Sequence, residues 1–329
     1  MLSPFAIHHL LKHFDSIDRA VTSKMTYPRP KDEEELTGSL VDMLDERVQV
    51  RESIGYNIQD LRHDLTEASE PLGVKFSIET HKYKKEFEGR VSQADLGLIV
   101  NYENNFEPHL SGRRSWLLQA KRVYPTSLDP TRYNAQSIFG ALNAKQDQRI
   151  QELIKFVGDD FFRYLLYCPR PEILEEEDRL ELAYYRGKSF QENLFDFAYG
   201  LELRDDIRNG SKTVAAGIYV SSVQSVPKCL GEVHAGIFDR ATPLSWFLVQ
   251  HLPGRLDRDW EPTSHLQGHD DTELASKIVR GDPEVVDIIA DVLSDKNWTG
   301  TMLPAATLTV TLTAGAKNVR DRFRLNANP

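Results

Sequence analysis

The sequence predicts an α/β protein whose mixed central sheet is flanked by helices, with additions toward the C-terminal end. Three observations carry that expectation. Apolar residues recur at helical spacing up to about residue 48 and then alternate at the period of a strand between 74 and 123. A helical stretch and a short apolar run, FFRYLLYC, follow between 133 and 168. Clusters of Pro, Gly and Asn separate these segments where the chain must turn. Helix, three strands, helix, strand is the order of an α/β layer.

Residues 1–22 read as one amphipathic helix, and Tyr27-Pro28-Arg29-Pro30 as a linker because its prolines break any helix. A second helix starts near Asp32, with acidic residues in the first turn and an apolar stripe of Leu36, Leu40, Met43, Leu44 and Val48. Val74 to Ile78, Ala94 to Tyr102 and Ser115 to Val123 are strands, and Asn104 to Arg114 turns the chain between the last two. A helix is expected from roughly Tyr133 to Val157, then a buried strand from Phe161 to Cys168 stopped by Pro169 and Pro171. Thr213 to Ser221 and Ser245 to Leu252 extend the sheet, and Leu308 to Leu312 is a late strand. Asp282 caps a helix running to about Leu293, whose crowded branched residues suit core burial better than a subunit contact. The expected organisation is a helix and linker over 1–30, a core over 31–252 and a C-terminal extension over 253–329.

The chain of 329 residues is 40% hydrophobic and 27% charged, enough apolar material for a buried core. No uncharged apolar run is long enough to cross a membrane, and the first twenty residues lack the parts of a signal peptide. Two cysteines, Cys168 and Cys229, without CxxC spacing suit a reducing cytosol, so a cytoplasmic protein without disulfides or a cysteine zinc site is expected. No Walker loop, G-x-G-x-x-G, G-x-S-x-G or H-E-x-x-H occurs, which removes the chemistries those motifs serve. A net charge of −10 opposes nucleic-acid binding. Binding needs only one positive cleft, however, and Arg113, Arg114, Lys121 and Arg122 fall together.

The informative segments are Gln93-Ala94-Asp95-Leu96 and Trp116-Leu117-Leu118-Gln119-Ala120-Lys121-Arg122. Side chains alternate along a strand, so Gln119 and Lys121 share a face, about 7 Å apart. Two polar groups on an otherwise apolar strand require partners, and Asp95 on the preceding strand is the natural one. Glutamates 33, 34 and 35 open the helix before it, and one helix cannot aim all three at one site.

These segments resemble the PD-(D/E)XK nuclease superfamily, in particular Mrr-type restriction endonucleases with a Q-x-K ending. The resemblance rests on Glu-Glu-Leu-Thr-Gly-Ser-Leu-Val at 34–41, Ala-Asp-Leu at 94–96 and Gln-Ala-Lys at 119–121, in that order on helix, strand and strand. It covers about residues 31–170 and implies a restriction-endonuclease-like core and a metal-dependent endonuclease acting on phosphodiester bonds, in restriction or antiviral defence. By that resemblance Mg²⁺ or Mn²⁺ is the cofactor. Asp95, the Gln119 side-chain oxygen and the Ala120 carbonyl are its ligands, and Lys121 steadies the attacking water or the transition state. Glu34, chosen over Glu33 because Leu36, Leu40 and Val41 match the family's helix spacing, adds a supporting contact or binds a second metal. Gln119 in place of an acidic residue weakens metal binding and gives that glutamate more to do.

The expected partner is nucleic acid, DNA ahead of RNA, with no membrane, and with self-association or an activating partner as further expectations. The alternative is a catalytically inactive relative that binds nucleic acid or a protein. Other clusters read as structural. His9 and His13 have the spacing of zinc ligands but no third ligand, and His265, His269, Asp270 and Asp271 lie in a polar loop. Tyr133, Asn134 and Gln136 open the helix after the lysine strand, as caps or as substrate contacts.

Overall fold

The computed structural model describes residues 3–26, 29–49, 54–68, 73–82, 94–126, 129, 131–140, 148, 150–152, 154–155, 161–192, 215–252, 276–282, 285 and 304–315. Its helices are α1 (Pro4–Thr22), α2 (Glu33–Leu44), α3 (Glu46–Gln49), α4 (Ile58–Ala68), α5 (Glu176–Glu192), α6 (Leu230–Ala235) and α7 (Leu244–Gln250). Its strands are β1 (Val74–Lys82), β2 (Leu96–Asn104), β3 (Gly112–Tyr124), β4 (Ile138–Phe139), β5 (Phe162–Tyr167), β6 (Ile218–Ser222), β7 (Ala241–Pro243) and β8 (Ala306–Ala314). Among the described residues, no helix is long and apolar enough to cross a membrane.

The sheet is mixed and open, in the order β1-β8-β2-β3-β5-β6-β7, with β4 attached to the end of β3. β2 and β3 are antiparallel, whereas β3 and β5 are parallel. A parallel pair needs a crossover, and the helical residues among 148–155 lie in that connection. The C-terminal segment expected as an extension supplies β8 to the sheet's interior, parallel to β2 and antiparallel to β1.

Each face has its own cover. Leu96, Leu98, Val100, Trp116, Leu118, Ala120, Leu308 and Val310 face the main core, which also holds the apolar stripes of α1, α2, α4 and α7. On the other face Gly97, Leu117 and Thr307 lie in register. The helical turn at 276–280 sits on them: Ser115 bonds Ser276 at 3.0 Å, and Thr307 donates to the Val279 carbonyl at 3.3 Å. A Cβ at Gly97 would stand 2.6 Å from a Val279 methyl, so this approach needs glycine.

Helix α1 is pinned by one buried carboxylate. Asp18 accepts hydrogen bonds from the backbone of Gly217 at 2.9 Å and Ile218 at 2.7 Å, and from Arg170 at 2.6 Å. Arg170 also meets Asp15 at 2.9 Å, so both acids of α1 bind the guanidinium just after β5.

Four expectations are corrected. The second helix ends at Leu44, and Asp45 starts α3 by accepting from the Arg47 N–H at 2.8 Å, which leaves Val48 on a separate turn. Residues 133–137 are not helical: Asn134 accepts from the Gln136 N–H at 3.0 Å, a local turn that competes with a helix, and β4 follows. Ser245 to Leu252 forms helix α7 and its end, not a strand, because six residues from Leu244 to Val249 are all buried and such a run has no readable period. Asp95 stands one residue before β2 instead of inside it. Helix α4 was not expected at all. The helix from Asp282 to Leu293 and the cluster at 265–271 lie largely or wholly outside the described residues.

Candidate functional site

The site forms where β3 outruns its neighbour. Leu96, the first residue of β2, pairs with Leu118, and the Asp95 N–H makes the last ladder bond to the Leu118 carbonyl at 2.9 Å. From there to Val123, where β4 begins to pair, the N–H groups along this edge of β3 meet side chains and not a strand. The Ala120 N–H donates to Asp95 Oδ2 at 2.7 Å, and the Arg122 N–H donates to Glu33 Oε1 at 2.9 Å. Two carboxylates thus cap a strand edge that would otherwise carry unsatisfied donors. A strand residue sends its N–H and C=O out on the same side, so the Ala120 carbonyl points into the gap between these carboxylates.

Gln119 and Lys121, both buried, project from the sheet face that carries Gly97 and Leu117. Gln119 Nε2 donates to Asp95 Oδ2 at 2.5 Å, as the need for a partner predicted. The Lys121 ammonium lies 3.8 Å from Glu33 Oε2, close enough for an ion pair but too long for a hydrogen bond. Lysine, with three donors, is only 7% exposed here, and among the described residues Glu33 is its one ion-pair partner.

The structure brings Asp95, Gln119, Ala120 and Lys121 together with Glu33 and leaves Glu34, the glutamate expected there, exposed. Asp32 caps α2 by accepting from the Glu35 N–H at 2.8 Å, and Glu35 returns the bond to the Asp32 N–H at 3.1 Å. That reciprocal pair fixes the first turn and engages Glu35. Glu33 then lies three and seven residues before Leu36 and Leu40, on the buried face, while Glu34 is one position round the helix and exposed. The Glu33 carbonyl accepts from the Thr37 hydroxyl at 2.9 Å, and the Tyr167 hydroxyl donates to Thr37 at 3.1 Å. Burial chiefly, with added repulsion from Asp95 and Glu33, holds the Tyr167 phenol well above its ordinary pKa, so it stays a neutral donor.

The basic run is divided. Arg122 is buried, donating to the Lys31 carbonyl at 2.5 Å and to the Tyr133 hydroxyl at 2.7 Å, and so ties β3 to the linker before α2. Tyr133 is therefore an anchor in the interior. Arg113 bonds Asn101 at 2.8 Å and Arg114 meets His251 at 2.9 Å, both at the opposite end of β3 from Lys121. The histidines of α1 are structural: His13 bonds the Tyr56 carbonyl at 2.9 Å, and His9 meets the Tyr56 hydroxyl at 3.0 Å.

Among the described residues, no three or more His, Cys, Asp or Glu side chains are grouped to hold a metal ion. The donors present are two carboxylates, a main-chain carbonyl and an amide, all oxygen groups of the kind Mg²⁺ takes. By donor type they suit such an ion, and Gln119, which now offers Asp95 its nitrogen, would have to turn its amide to offer oxygen. Comparisons with protein-family models, curated proteins and solved structures find no match for this chain.

Proposed function

We propose that the protein is a metal-dependent nuclease, with Glu33, Asp95, Gln119, Ala120 and Lys121 as its working residues. The observation that carries this reading is the pair of carboxylates capping Ala120 and Arg122 on either side of a buried lysine. Among the described residues Glu33, at 3.8 Å, is that lysine's one ion-pair partner, and a phosphodiester would supply it with further acceptors. The order of motifs adds support: a helix glutamate, an aspartate just before β2, Gln-Ala-Lys on an antiparallel β3, then a crossover to a parallel β5, as in the PD-(D/E)XK core. β8, between β1 and β2, is an addition to that plan.

Asp95, Glu33 and the Ala120 carbonyl would hold Mg²⁺ or Mn²⁺, with Gln119 joining once its amide turns. The chemistry such an ion supplies is polarisation of the phosphate and acidification of water. The chain's own part is placement. Lys121 offsets the charge that builds on the phosphoryl oxygens, and its buried setting makes that charge count for more than in water. Glu33 holds the Lys121 ammonium in the gap. The same bond between Gln119 and Asp95 also favours a second reading, an inactive relative that binds nucleic acid, because it occupies the central carboxylate.

A cleavage assay separates the two. Plasmid, linear duplex, single strands and RNA are incubated with Mg²⁺, Mn²⁺ or EDTA, alongside Lys121→Ala and Asp95→Asn. Metal-dependent cutting by wild type, lost in both folded variants, is expected. Equal inertness of all three proteins, with nucleic-acid binding retained, points to the inactive relative.

A further inference from the structure

Just past the lysine, β3 ends on an aromatic side chain that the core does not absorb. Tyr124 is 41% exposed, and Ile138, directly opposite it on β4, is 58% exposed. Directly opposed residues share a face, so ring and aliphatic chain stand side by side in solvent. Large apolar groups exposed as neighbours are unusual on a surface and mark contact sites.

Three details point to what they contact. The Arg122 guanidinium lies 5.2 Å from the Tyr124 ring centroid, a cation against its π-system. Gly140 closes the turn beside them, its N–H donating to the Arg122 carbonyl at 3.3 Å. A Cβ on Gly140 would come 3.2 Å from Tyr124 Cε2 and 3.6 Å from Glu33 Oε1, so the ring edge and that carboxylate flank the same small residue. A flat π-surface backed by a guanidinium has the chemistry of a base-stacking platform.

We infer that Tyr124, with Ile138 beside it, stacks an unpaired nucleobase next to the phosphate held at Lys121, which makes the substrate class single-stranded or frayed nucleic acid. This rests on the nuclease reading for the phosphate's position. Stacking is indifferent to base identity and requires that the base be out of a duplex, so binding should discriminate by strandedness and not by sequence.

The test is fluorescence anisotropy with the full chain in EDTA at low salt, using labelled single-stranded DNA, the matching RNA and a blunt duplex. Tyr124→Ala should weaken binding of single strands on the order of tenfold and leave the duplex within about twofold, while Tyr124→Trp binds as wild type or tighter. The DNA and RNA arms identify which strand is preferred. The inference is overturned if Tyr124→Ala binds single strands normally, if it loses duplex binding equally, or if wild type binds no single strand. Cleavage by wild type and Lys121→Ala, measured in parallel, keeps the two ideas apart. Tyr124-dependent binding without any Lys121-dependent cutting sustains the platform and rejects the nuclease. Lys121-dependent cutting with Tyr124→Ala unaltered does the reverse.

Discussion

Replacing Glu33 and Glu34 by glutamine, one at a time, tests the site's construction most sharply. Glu33→Gln keeps an oxygen to accept the Arg122 N–H, now bonded at 2.9 Å, and removes only the charge. At 3.8 Å from Lys121 and an effective dielectric of about 20, the lost attraction is about 4 kcal/mol gross. The glutamate side chain is 27% exposed and the lysine 9%, so desolvation and solvent screening reduce the net loss to about 1–2 kcal/mol. Glu34 is exposed, and its change should stay within about 0.5 kcal/mol. Ion affinity should separate the two further. Loss of a carboxylate ligand should weaken Mn²⁺ binding by at least about 10- to 100-fold in Glu33→Gln, and leave it intact in Glu34→Gln. Calorimetric titration with Mn²⁺ and urea denaturation measure both quantities on the same preparations. Loss of affinity in Glu34→Gln with normal affinity in Glu33→Gln would refute the assignment, because the helix would then be turned by one residue in solution.

Two further outcomes concern the scaffold. Asp18→Ala leaves the Gly217 and Ile218 N–H groups without their acceptor and Arg170 without its closest carboxylate, so urea denaturation should show a loss of about 3–5 kcal/mol; less than about 1 kcal/mol contradicts that role for Asp18. His13 is fully buried, and burial lowers its pKa from 6.5 to about 4. The native state therefore excludes a proton that the unfolded chain takes up, and stability present above about pH 6.5 is lost as pH falls toward 4, by about 3 kcal/mol. Asp18, which burial raises to about 6, works in the opposite sense over a similar range, so the His13 contribution is read as the difference between wild type and His13→Asn. Parallel pH profiles for the two proteins would contradict it.

The parts of the fold legible in the sequence are those with a clear period and a clear stop. Asp32 with Glu35 announces α2, and the prolines at 169 and 171 close β5. Legibility failed where burial erased the period, as in Leu244–Val249, and where a side chain captured the backbone, as Asn134 does ahead of β4. Asp95, Gln119 and Lys121 were readable because two polar groups on an apolar strand need something opposite. Glu33 was also within reach. Its spacing to Leu36 and Leu40 places it on the buried face, a signal that the family's helix pattern overrode in favour of Glu34. That Gln119 turns its nitrogen and not its oxygen toward the site had no sequence signal, because amide orientation depends on the surrounding groups. Tyr124 and Gly140 likewise acquire meaning only when β4 folds back beside Glu33.

The position of β8 bears on the order in which the sheet can form. Residues 96–104 pair on one side with β3, near them in sequence, and on the other with Ala306–Ala314, some two hundred residues later. A ribosome delivers the N-terminal part first, so β1 and β2 must wait for their shared neighbour until residues 306–314 have emerged. Pairings this distant form slowly, and until they form two strand edges stand open. A chain halted before residue 306 would lack the strand that joins β1 to β2.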